Sequence, residues 1–438
     1  MVSKLEGSNR LIWFWTMGSY VLAQGIVAVG ALVRIPLLVD NLGAEGYGRF
    51  TAVFSVWPII AILLDGLQQA TRSAIANKPE ARPGSLVKLF SKFALAESTL
   101  MFACFITPVA IAAALMDASS TEILLAVLII LIVMAICLPL APSKGALDAL
   151  SKTAFSNLSL ASNTIVGLPI LAVAFIVSDS IFAAVAASAL GNAAPYLITS
   201  LYFKRLDSQH EWTFSRPSPL DKTTRALIGS MTIYAAANLL AYGFDPIIIS
   251  VISGDLQVGE YGLASKVMMI AMFVPIGLTG LLTTKYAAVR QQNSLTLTRQ
   301  WLIRTTLAFS FMGILLCGVS LVAAPVVARI LSHGEIEPPT DLLVALSVFS
   351  FMAISSCPLM CAFSNHRAAR VRAKTAIAAG LFNIAGTIPL TIVAGATGAV
   401  IASCIANSML IVVLYRRAAV DTTLVFVISD RERQGANL

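Results

Sequence analysis

"DNLGAEGYGRF" (40–50) lies between two long apolar runs, and "GDLQVGEYGLA" (254–264) lies between two more. The two stretches share Leu42 with Leu256 and, five residues on, Tyr47-Gly48 with Tyr261-Gly262, 214 residues apart. Further echoes follow in the same order. "DGLQQATRSA" (65–74) resembles "TGLLTTKYAA" (279–288), so that Arg72 nearly matches Lys285. "SKTA" (151–154) answers "AKTA" (373–376), Asn163 and Pro169 answer Asn383 and Pro389, and Asn192 answers Asn407. All offsets fall between 213 and 222 residues. A short polar turn written twice in one register marks an internal repeat, and the repeat sets the architecture.

The repeat sits in a chain suited to lipid. Of 438 residues, 58% are hydrophobic and 12% charged, against about 25% charged in soluble domains. The mean hydropathy is +0.84. Twelve apolar runs are long enough to span a bilayer: about 11–39, 50–67, 90–115, 123–141, 154–177, 181–203, 226–252, 261–284, 301–327, 341–363, 375–394 and 397–415. None alternates as barrel strands do, and lipid offers no hydrogen bonds to an open backbone, so the spans are helices.

Lysine and arginine orient them. With the N-terminus inside, 26 of the 30 fall in inside segments, two (Arg49 and Arg329) at outside ends, and two (Arg34 and Lys266) within spans. That asymmetry predicts both termini on the cytoplasmic side. The net charge of +8 is spread over short loops and is no nucleic-acid signature. The apolar run from Leu11 to Val39 is too long for a cleaved signal and reads as a retained first helix. All six cysteines lie inside apolar runs, so free thiols are expected; Cys357 and Cys361 are helix-spaced but have no nearby ligand histidine.

Six spans per half give both halves the same orientation, with a pseudo-two-fold axis along the membrane normal. The expected fold is an all-α membrane protein of two pseudo-symmetric six-helix bundles around a central cavity. The bundles are 1–203 and 226–415, joined by a cytoplasmic linker, 204–225, that contains Arg216-Pro217-Ser218-Pro219. A tail, 416–438, follows, whose "LVFVIS" is too short to span. Two like bundles across a cleft can rock between inward-open and outward-open states; a duplication kept for packing alone is the alternative. The twice-written turn caps the outer end of the first hairpin of each half, with glycines for the tight bend and Tyr47 and Tyr261 expected at the membrane–water interface.

"IPLLVDNLGAEGYGRF" (35–50) resembles the first-hairpin signature of bacterial polysaccharide flippases of the O-antigen, Wzx type. These belong to the multidrug/oligosaccharidyl-lipid/polysaccharide (MOP) exporter superfamily. The resemblance implies a flippase in the bacterial inner membrane that moves undecaprenyl-diphosphate-linked oligosaccharide from the cytoplasmic to the periplasmic leaflet. It also implies a polysaccharide polymerase or chain-length protein as partner. The related lipid II flippases have two additional spans, and no residue-level motif carries over a substrate site.

Ionisable residues inside a bilayer are functional candidates by default. Arg34, beside Pro36, and Asp245, beside Pro246, lie in the outer thirds of spans one and seven, and Lys266 begins span eight. The sharper expectation pairs Arg34 with Asp245 at a closed outer gate; the plainer one has the cations reach the interface along their own stems. Arg72 and Lys285 end spans two and eight at the inner mouth. There they either meet a diphosphate or only satisfy the inside-positive bias. Asp65 and Glu97 are candidate proton carriers. Asn163, Asn192, Asn383 and Asn407, all mid-span, read foremost as bonds between helices.

No enzyme is expected. His210, His333 and His366 are dispersed in loops, and no P-loop appears. No cofactor or metal is implied, and coupling to protons or sodium stays open. The nearest rival is an ion-coupled multidrug exporter of the same superfamily. A membrane-embedded glycan polymerase or acyltransferase would carry a large outside loop or a histidine cluster, and this sequence has neither.

Overall fold

The computed structural model describes residues 2–77, 83–101, 118–150, 152–207, 244–291, 295–363 and 366–420. Among these residues there is no strand. The first half holds α1 (Val2–Phe54), α2 (Val56–Asn77), α3 (Pro83–Met101), α4 (Ala118–Cys137), α5 (Ala141–Ala149), α6 (Thr153–Ser159), α7 (Ala161–Val177) and α8 (Ile181–Leu206). The second holds α9 (Asp245–Ser253), α10 (Asp255–Gln291), α11 (Leu295–Leu331), α12 (Thr340–Ala362) and α13 (His366–Val420). Linker residues beyond Asp207, the start of span seven and the tail beyond Val420 lie outside the described residues.

The helical segments are longer than the expected spans because some run through two of them. The apolar segment Gly18–Arg72 has 55 residues. Straight, it would extend about 80 Å, against about 30 Å of hydrocarbon. It breaks at Gly43, where φ is 70° and ψ 175°, a conformation open to glycine at little cost. Segment Val371–Ala418, 48 residues long, breaks at Ala394–Gly395, where Gly395 has φ 56°. Both breaks fall between expected spans, and helix is present at all twelve span positions among the described residues. The protein is an all-helical, multi-pass membrane protein of two pseudo-symmetric halves.

The halves meet along α1 and α10. The two copies of the turn pack on each other there. A Cβ on Gly48 would collide with the Asp255 carbonyl, and one on Gly262, its repeat mate, with the Thr51 side chain at 2.8 Å. Lipid tails are as apolar as leucine, so helices in a membrane associate where small residues let backbones approach. The glycine after each tyrosine is therefore fixed by the contact between halves.

Two expectations about the turn are corrected. Tyr47 is 3% exposed and belongs to the core rather than an interfacial belt, because its helix face meets the other half. The bends also differ in register: the positive φ sits at Gly43 in the first copy and at Gly254 in the second, whose repeat mate is Asp40. Gln257, the mate of Gly43, is helical and accepts a hydrogen bond from Ala396 N at 3.0 Å, closing the break in α13. The matching break in the first half, between α7 and α8, is capped locally by Ser180, whose Oγ accepts from Ala183 N at 3.1 Å.

Candidate functional site

Each half builds a polar centre from the first helix of its bundle and the two asparagine-bearing helices. In the first half Arg34 projects from α1 toward α7. Its Nη2 donates to Asn163 Oδ1 at 3.5 Å, and Asn163 Nδ2 donates to Asn192 Oδ1 on α8. Glycine makes the room. A Cβ on Gly167 would lie 3.0 Å from Arg34 Nη2, and the backbones of Gly167 and Gly191 touch. Arg34 Nε has no hydrogen-bond partner.

In the second half Asp245 begins α9 and is 2% exposed. Ser403 Oγ donates to its Oδ2 at 2.8 Å and stands 3.3 Å from Asn383 Oδ1. Thr387 Oγ1 donates to the same Asn383 Oδ1 at 3.5 Å. Asn383 and Thr387 also stand near the carboxyl, but its Oδ1 receives no well-formed hydrogen bond. The carboxylate lines a cavity of about 130 Å³ with Tyr261, Ser265, Met268, Phe349 and Ser403.

The expected Arg34–Asp245 pair is thus not made in this structure. Each charge is held within its own half, Arg34 by Asn163 and Asp245 by Ser403, which also stands beside Asn383. The charge pair between halves lies instead at the turns, where Arg49 Nε donates to Asp255 Oδ2 at 2.6 Å. Ser250 Oγ donates to the other carboxylate oxygen at 2.9 Å. A second bridge between halves joins His333 Nδ1 to Asp40 Oδ1 at 2.8 Å.

Lys266 is exposed although it lies within α10. It lines a cavity of about 210 Å³ between α1 and α10, with Gln24, Ala31, Leu32 and Leu331. Its ammonium is near enough to Arg34 for the two cations to repel each other. Among the described residues no carboxylate pairs with either.

The remaining candidates scatter. Asp65 is exposed on α2 and faces Lys144 of α5. Lys144 also faces Asp148 and sits 5.7 Å from the centroid of the Tyr196 ring. Arg72 is exposed at the end of α2. The side chains of Lys285 and Glu97 lie outside the described residues. Sequence reasoning counted Lys144 only as an inside cation and gave no part to Ser403 or Gln257; the N-x5-P pairs were the one signal that marked the helices facing Arg34 and Asp245. Among the described residues no three His, Cys, Asp or Glu converge as metal ligands.

A family model described as "Polysaccharide biosynthesis protein" matches residues 14–283, more than half of the sequence. The chain belongs to this family. No curated protein matches this polysaccharide biosynthesis protein in sequence. Its fold is similar to that of an inward-facing multidrug resistance MATE family transporter of the MOP superfamily. There the TM-score is 0.68 at 16% identity, over 89% of this chain and 93% of that one. It is similar to an outward-facing MATE family transporter, with TM-score 0.66 and 16% identity over 93% and 94% of the two chains. It is also similar to a MOP superfamily transporter from Pyrococcus furiosus, described by a reversed polarity of its binding pocket. That match has TM-score 0.68 and 14% identity over 94% and 96%. At such identities the likeness shows the fold. The family is that of polysaccharide biosynthesis proteins, and the fold is one that transporters of the MOP superfamily have.

Proposed function

We propose that this polysaccharide biosynthesis protein is a flippase that moves undecaprenyl-diphosphate-linked oligosaccharide across the bacterial inner membrane by alternating access. The observation that carries the reading is a pair of cations without carboxylates on facing halves: Lys266 lines a cavity, and Arg34, bonded to Asn163, is near enough for the two to repel each other. Two unpaired cations in low dielectric repel each other and are desolvated. A diphosphate between them removes both penalties and accepts charge-assisted hydrogen bonds. Arg72, at the inner mouth under the orientation set by Lys and Arg, meets the head group first. Surface-polysaccharide assembly, with a polymerase or chain-length protein nearby, is the pathway such a substrate serves.

Coupling falls to Asp245. Its cavity of about 130 Å³ is below the roughly 300–1,000 Å³ of small-molecule sites, which favours a proton or sodium over a drug. The rival multidrug reading draws on the methionines of that cavity, Met268, Met269 and Met272, which suit adaptable apolar contacts. Proteoliposomes loaded with fluorescent lipid-linked oligosaccharide separate the two. The flippase reading expects substrate to reach the opposite leaflet in the parent and to fail with Arg34→Gln or Lys266→Gln. Unchanged flipping in both variants, or transport of organic cations in place of the lipid, overturns it.

A further inference from the structure

We propose that Asn192 is a positioning residue for Arg34: by taking the amide hydrogen of Asn163 it keeps the Asn163 carbonyl on the guanidinium, and so keeps the first half tuned to an anion. The inference rests on the reading that Arg34 meets the diphosphate of the cargo. An asparagine side chain offers an oxygen at one end and N–H groups at the other. Against a guanidinium only the oxygen end attracts; turned over, the amide sets N–H against N–H. A neighbour must therefore choose the orientation.

In the first half that neighbour is on α8. Asn163 Nδ2 donates to Asn192 Oδ1, which leaves Asn163 Oδ1 for Arg34 Nη2, 3.5 Å away. Backbone contact places the pair. Gly191, beside Asn192, has no room for a Cβ, which would lie 2.7 Å from Gly167 Cα and 3.0 Å from the Asn163 carbonyl oxygen. Among the described residues no other side chain hydrogen-bonds the guanidinium, and its Nε is buried without a partner. The hold on Arg34 thus runs through one amide, and the hold on that amide runs through Asn192.

The second half makes the opposite choice with other residues. Thr387 Oγ1 donates to Asn383 Oδ1 at 3.5 Å, and Ser403 Oγ stands 3.3 Å from the same oxygen. With its oxygen among hydroxyls, Asn383 keeps its N–H end for the Asp245 carboxyl beside it. The first half lacks this arrangement. Gly167 stands in the place of Thr387 and has no hydroxyl to give. Ser188 comes four residues before Asn192, as Ser403 comes four before Asn407, but it is 1% exposed and its Oγ has no partner. The serine is present in both halves and engages the amide only in the second. In the first, Asn192 does so from the next turn of the helix, and the amide faces the other way.

The test uses the full chain in lipid nanodiscs, with a fluorescent prenyl diphosphate as the probe. Threonine and valine share one shape, and only threonine carries an oxygen that can accept from Asn163. Expected is that Asn192→Val weakens binding about tenfold and that Asn192→Thr binds at least about threefold tighter than Asn192→Val. Arg34→Gln/Asn192→Val binds no more weakly than Arg34→Gln alone, because Asn192 acts only through Arg34. Thr387→Val, in the equivalent layer of the second half, binds the probe as the parent does. Equal losses in the valine and threonine variants, or additive losses in the double variant, make Asn192 a packing residue and overturn the proposal. A loss in Thr387→Val as large as that in Asn192→Val overturns it too, since the effect then does not belong to the first half. Parent-like binding by Asn192→Val beside a weakened Arg34→Gln overturns the positioning role and leaves Arg34 standing. Parent-like binding by Arg34→Gln overturns the reading of Arg34 itself.

Discussion

The two polar centres are one design with opposite charges. Asn163 and Asn383 occupy the same place in the repeat, four helical positions before Gly167 in one half and Thr387 in the other. The first faces a guanidinium from α1, and the second stands beside a carboxylate from α9. An amide suits both, since it donates and accepts. Duplication has kept the neutral partner, and divergence has set the sign. A cation in the first half suits an anionic cargo, and an anion in the second suits a cationic driver. On the proposed function, one scaffold then binds two opposite ions that never compete for one site.

That contrast can be broken or sharpened in five ways. The largest effect is expected for Asp245→Asn. Removing the charge from a buried cation site should stop cation-driven glycan export in proteoliposomes, a loss of about 100-fold or more. Next is Arg34→Gln, which should weaken binding of a diphosphate-linked oligosaccharide by about 10- to 100-fold, with Arg34→Lys intermediate because lysine binds phosphate only as a point charge. Exchanging the signs in Arg34→Asp/Asp245→Arg should give export no better than either single exchange, since each charge is held by its own half; restoration would mean that they pair in another state.

The smaller effects lie at the turns. Gly48→Val drives a side chain into the Asp255 carbonyl. It should lengthen the spin-label distance between positions 44 and 258 without altering cation binding at Asp245. Arg49→Gln removes the exposed bridge to Asp255, 2.6 Å long with the arginine side chain 49% exposed. Such pairs contribute about 0.2–1 kcal/mol, so a change in thermal stability beyond that range would give the turn bridge a larger part than its exposure allows.

The span pattern was readable because lipid imposes length and hydropathy on every crossing helix. The duplicated turn was readable because the contact between halves demands glycine at Gly48, against the Asp255 backbone, and at Gly262, against the Thr51 side chain. The partners of Arg34 and Asp245 were not. Along the sequence both charges sit beside prolines in equivalent spans, and a pair between them was the simplest reading. Which side chain a charge reaches depends on helix rotation. The glycine gap at Gly167 and Gly191 decides it for Arg34, as Ser403 does for Asp245. For Lys266 the sequence offered both a side chain reaching for the interface and a part in gating; the side chain is exposed and lines the cavity between α1 and α10.

The sequence by itself determined a membrane-spanning, all-helical, twice-repeated protein, because composition, run length and register are properties of the chain alone. Only the tertiary structure decided that the two turns press together, that Arg34 and Asp245 each keep to their own half, and that Lys266 faces a hollow near Arg34. Those outcomes come from the rotation and approach of packed helices, where a shift of one residue redirects a side chain by about 100° and a single missing Cβ admits a guanidinium.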